Sequence, residues 1–156
     1  MPRTTTRSTA VSFLRFALWA AAAFGLLFVA LGLFVVALDT SSHDDEWDGL
    51  GRFFGSLMAA AGVLWFIPHA ALAVLIARVA HTRRLLKPVA AAATALGALL
   101  LAFGLYYAAS GSAEFITMLP EIGMSLAVVL AGLGVLADDS SAGPSEESQV
   151  KPQTNR

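Results

Sequence analysis

Four long stretches of the chain carry almost no charge. Residues 16–38 and 53–77 contain no Asp, Glu, Lys or Arg, and neither do residues 89–113. Residues 115–137 are interrupted once, by Glu121. A bilayer hydrocarbon core of about 30 Å needs roughly 20 apolar residues in a helix, so each run is long enough to cross. Each is also apolar all round, without the wide polar face of a soluble bundle helix. Strands would show alternation at period two and a turn every ten or so residues, and neither is present. The pattern predicts four transmembrane helices, at about 14–38, 53–78, 88–111 and 113–137. They join into an all-α integral membrane protein, an up-down bundle spanning residues 13–137. Residues 1–12 read as an N-terminal tail and 138–156 as a Ser/Glu/Pro-rich tail too polar to order itself.

Composition sharpens this reading. The 156 residues are 57% hydrophobic and 13% charged, with mean hydropathy +0.71. A soluble domain is about a quarter charged. The formal charge of -1 gives no general attraction to nucleic acid. The chain has no cysteine, which excludes disulfides, thiolate metal sites and S-linked lipids. Arg3, Arg7 and Arg15 before an apolar stretch resemble a signal peptide. The stretch is longer than a secretory core of about 7–15 residues, so an uncleaved first helix is expected. Arginine outnumbers lysine eight to two among frequent alanine runs, a bias of GC-rich bacterial genes.

The basic residues set the expected orientation. Nine of ten lie before the first run, between the second and third, or in the C-terminal tail; Arg52 alone lies between the first two. The positive-inside bias places both termini in the cytoplasm, in a multi-pass protein of the inner (plasma) membrane. Arg78, Arg83, Arg84 and Lys87, between the second and third helices, then meet anionic lipid headgroups.

Small residues mark packing faces. Displacing the chain by 72 residues aligns residues 15–37 with 87–109, with nine of 23 identical. Shared Ala/Leu/Gly composition accounts for much of that. Gly25/Gly32 and Gly97/Gly104 nevertheless share a spacing of seven, which puts each pair on one helix face. Gly55 and Gly123 open similar small-residue stripes on the second and fourth helices. These six glycines are the candidate close-packing positions.

Candidate chemistry is sparse. Glu121 is the acid within an apolar run, and intramembrane ionisable groups are functional candidates by default. Its depth turns on Pro120. If the fourth helix begins near Ser112, Pro120 is interior and Glu121 lies about 9 Å below the outer end of the apolar run, within reach of Tyr106 or Tyr107. If Pro120 is the first helical residue, Glu121 sits in the first turn near the headgroups. His69 follows Pro68, which should kink the second helix and free the Leu64 carbonyl. It lies about 24 Å from the same end, too far for a direct pair with Glu121. A neutral histidine bonded to a carbonyl competes with a proton-path role. Asp44, Glu46, Asp48 and Gly49 look like the front of a calcium loop, but the bidentate glutamate needed at position twelve is Gly55. No metal site or cofactor is therefore expected. Protease, hydrolase, nucleotide and dinucleotide motifs are missing, so no catalytic residue is assigned. The expected role is non-catalytic, through helix contacts with the same chain or another membrane protein. A proton-coupled transporter or channel subunit using Glu121, with His69, Tyr106 or Tyr107, is the alternative.

Overall fold

The structure, a computed structural model, describes residues 3–39, 49–110 and 115–140. They form four helices: α1 (Arg3–Asp39), α2 (Leu50–Val79), α3 (Arg83–Ala109) and α4 (Phe115–Ser140). Each contains a segment long and apolar enough to cross a membrane: Thr9–Asp39, Leu50–Val79, Arg84–Ala109 and Leu119–Asp138. The described residues are thus all-helical, with four membrane-span-capable helices in a bundle.

The helices run past their apolar stretches. α1 begins at Arg3 rather than near residue 14, because an anchored helix has already met the cost of nucleation and each added residue gains a backbone bond. α3 begins at Arg83, leaving Pro88 inside it. The Thr82 carbonyl accepts from the N–H groups of Leu85 and Leu86 and so starts the helix ahead of the proline. α2 continues through Pro68 and α4 through Pro120. The C-terminal segment beyond Ser140 lies outside the described residues, as does the Asp44–Glu46–Asp48 loop.

Neighbours run antiparallel. α1 packs chiefly on α2 and α3 on α4; α1 also packs on α4, while α2 and α3 touch least. The diagonal pairs, α1 with α3 and α2 with α4, make no close backbone approach among the described residues. The core gathers Leu14 and Leu18 of α1, Ala73 and Ile76 of α2, Leu86 and Ala90 of α3, and Val128 and Val135 of α4. It sits where α1 and α3 begin and α2 and α4 end, here called the basic end because Arg15, Arg78, Arg84 and Lys87 lie there. The other end, where α1 joins α2 and α3 joins α4, is the loop end.

Packing changes along the bundle. Past Ala22, His69, Gly97 and Ser125 toward the loop end, the buried positions among the described residues are all glycines: 25, 32, 55, 62 and 104. Large apolar side chains there, such as Phe34, Leu64, Leu99 and Phe103, are exposed. One half of the molecule is a four-helix core. The other is two glycine-packed pairs whose outer surfaces suit hydrocarbon rather than water.

Candidate functional site

Glu121 occupies the interior of a helix. α4 begins at Phe115, so a full turn precedes Pro120, and the placement with Pro120 as first helical residue is not the one observed. The missing Pro120 N–H leaves the Ile116 carbonyl without its helical donor. Glu121 is half-buried and rests on α3 at Gly104: a Cβ built there would stand 3.8 Å from Glu121 Oε1, an ordinary contact distance. Neither tyrosine hydrogen-bonds it among the described contacts. Tyr106 is two residues beyond Gly104, about 200° around the helix, and is 74% exposed. Tyr107 stacks on Phe103, ring centroids 6.5 Å apart. The acid and the tyrosines share a region of the bundle without forming a joint site.

His69 is buried at 1% exposure. Its Nδ1 lies 2.7 Å from the Trp65 carbonyl oxygen, one turn back on the same helix. That oxygen can only accept, so the neutral ring carries its proton on Nδ1 and leaves Nε2 basic. The partner is the carbonyl of Trp65 and not that of Leu64, which Pro68 frees. The Trp65 ring stacks on the imidazole at 5.0 Å and 23°. Its indole N–H donates to the Ala21 carbonyl across the α1–α2 interface at 2.9 Å. His69 is thus held by α2 and by a tryptophan tied to α1. Glu121 lies against α3, and α2 and α4 do not approach, so these two ionisable groups stay in separate hairpins.

The packing glycines divide by what they touch. A Cβ at Gly25, Gly32, Gly55 or Gly62 would meet backbone atoms of the facing helix at 3.0 Å or less. Gly32 opposes Gly55, and Gly25 opposes Gly62. Gly97 faces Val128 and Val129 side chains and the Ser125 carbonyl at 3.1–3.2 Å, and Gly104 faces Ile122 at 3.1 Å. Gly123 is exposed, with nothing within 4 Å of a built Cβ, and Gly134 on the same helix is alike.

Arg78, Arg84 and Lys87 are exposed at the basic end, and Arg83 is the first residue of α3. Three features were not read from the sequence. Asp39, closing α1, accepts the Arg52 backbone N–H at 3.1 Å and lies 3.5 Å from the Arg52 guanidinium. It does for α2 what a capping side chain does, since Gly49 has none to offer (φ 95°). Its signal was the lone base of an otherwise acidic loop. Ser125 is 2% exposed and its Oγ has no hydrogen-bond partner among the described residues, whereas Thr94 bonds back to the Ala90 carbonyl at 2.8 Å. No sequence signal separates those two hydroxyls. The third feature is a groove at the start of α1, lined by Ser12, Arg15, Phe16 and Trp19.

Among the described residues no three His, Asp or Glu come together as a metal cluster. The chain matches no family model, and no curated protein and no solved structure matches it. What can be said of its role comes from these contacts.

Proposed function

We propose that the protein is a small non-catalytic polytopic membrane protein that acts by helix contacts with a second copy or with another membrane protein. The observation behind this reading is the outward face of α4. Gly123 and Gly134 are eleven residues apart, nearly in line on the helix, and both are exposed with open space beyond. The buried glycines of the four helices, by contrast, are all used inside the chain. In a bilayer, exposed glycine gives up side-chain packing unless another backbone comes close. The proposed setting is the inner (plasma) membrane with both termini in the cytoplasm, supported by the gathering of Arg15, Arg78, Arg84 and Lys87 at one end.

The test is association of the full chain in lipid bicelles by energy transfer between labelled copies, or retention of a co-purifying membrane protein. Gly123→Ile and Gly134→Ile should reduce association about tenfold, a loss of roughly 1.4 kcal/mol, with the melting temperature of the bundle unchanged. Unaltered association in both readouts would remove this reading. Orientation is checked by a periplasm-active phosphatase, inactive when fused after Arg156 and active when fused near Asp45.

A second reading rests on Glu121, an acid in the interior of a span-capable helix and seated on Gly104. It makes the protein a proton-coupled transporter or channel subunit. Reaction of Glu121 with an apolar carbodiimide in preference to a water-soluble one, and loss of proton flux in Glu121→Gln with the fold retained, would support it. Labelling by the soluble reagent alone would remove it.

A further inference from the structure

At the basic end, the exposed side of α1 carries an open groove of about 330 Å³ lined by Ser12, Arg15, Phe16 and Trp19. Their offsets of three, four and seven residues put them on one helix face. Arg15 falls inside the candidate span Thr9–Asp39, directly before the uncharged run. No described acid lies within ion-pair distance of it. Phe16 is 70% exposed and Trp19 44% exposed, one and four residues beyond Arg15 toward the hydrocarbon.

These four side chains ask for one kind of occupant. A guanidinium at the edge of the hydrocarbon needs a counter-ion that does not leave with water, and a phosphodiester offers two oxygens matched to its fork. Ser12, about 4.5 Å nearer the aqueous side, adds a hydroxyl donor to the same groove. Trp19 has the amphipathic ring that settles at headgroup depth, and Phe16 offers an apolar wall for the first carbons of an acyl chain. Among the described residues the groove has no carboxylate to receive a choline or ethanolamine cation. Its net charge therefore complements a lipid whose headgroup carries net negative charge. We propose that this groove seats the phosphate of an anionic phospholipid, with Arg15 and Ser12 on the phosphate and Phe16 and Trp19 against the upper acyl chain. The proposal rests on the membrane reading of the chain and is separate from the basic turn between α2 and α3.

The test uses the full chain in phosphatidylcholine nanodiscs containing a minor share of phosphatidylglycerol brominated near the top of its acyl chains. Trp19 emission is taken as the difference between wild type and Trp19→Phe. Brominated phosphatidylglycerol should quench this component about twofold more than the same share of brominated phosphatidylcholine. The excess should vanish in Arg15→Gln, persist in Arg15→Lys, and fall in wild type at high salt. Equal quenching by the two lipids in wild type would overturn the proposal. So would an excess that survives Arg15→Gln, because the attraction would then belong to the basic turn. If Arg15→Gln does not fold, the salt arm decides on wild type alone: an excess unmoved by salt overturns the proposal. Failure of the membrane reading itself looks different, with release of the chain by alkaline extraction and no lipid quenching of Trp19 at all.

Discussion

The two hairpins solve the same packing problem differently. In α1/α2 glycine meets backbone: Gly32 against Gly55 and Gly25 against Gly62, with no room for a methyl group on either side. In α3/α4, Gly97 and Gly104 mostly meet the side chains of Val128, Val129 and Ile122. Helices one and three align over 23 residues, and their glycines hold the same spacing, yet the partners differ. A rotamer can turn aside for an added carbon. A facing backbone moves only by shifting its whole helix. The first hairpin should therefore behave as a rigid body, and the second as the adaptable half, which also carries Glu121 and the outward face of α4.

The largest effects should come from alanine in the first hairpin. Gly25→Ala or Gly62→Ala should cost about 1–3 kcal/mol through overpacking, read as reversible unfolding in bicelles. Gly97→Ala and Gly104→Ala should fall near zero, because up to about 1 kcal/mol of helix propensity offsets the smaller clash. Similar losses in both hairpins would erase the distinction. Gly132 tests it from the other side. A Cβ there would run into the Thr94 hydroxyl, so Gly132→Ala should destabilise alone and recover when combined with Thr94→Ala. Recovery would show that the obstacle in this hairpin is a side chain.

A smaller effect is expected at Trp65→Phe, which keeps an aromatic ring over His69 but loses the bond to the Ala21 carbonyl. About 0.5–1.5 kcal/mol should be lost, with α1 and α2 still paired. Asp39→Asn should cost less than about 1 kcal/mol, since the carboxylate serves an exposed helix terminus and the Arg52 side chain is 54% exposed.

Much of the bundle is legible in residue order because bilayer-length apolar runs have few other uses. The four runs correspond to four helices, and the seven-residue glycine spacing falls on buried contact faces in α1 and α3. Helix ends are less legible. α1 reaches Arg3 through Thr- and Ser-rich sequence because backbone hydrogen bonding continues where hydropathy has stopped. Partners are not legible at all. Gly104 as the seat of Glu121, Trp65 as the link to Ala21, and Gly123 as an outward position all depend on rotation about helix axes. Hydropathy says little about rotation when every face of a helix is apolar. The placement of Glu121 turned on one local question, whether helix precedes Pro120, and the sequence permits both answers.

The claim that backbone contact sets the first hairpin apart is tested most directly by a double-mutant cycle on Gly32 and Gly55, measured by reversible unfolding of the full chain in bicelles. Either alanine alone must force the helices apart at their shared contact. Once they have separated, the second methyl enters space already opened. The double variant should therefore cost well under the sum of the two single variants, by about 1 kcal/mol or more. The same cycle on Gly97 and Gly104, two helical turns apart, should be additive within about 0.5 kcal/mol. Additive losses at Gly32 and Gly55 would contradict the account, because they would place the two glycines in independent surroundings.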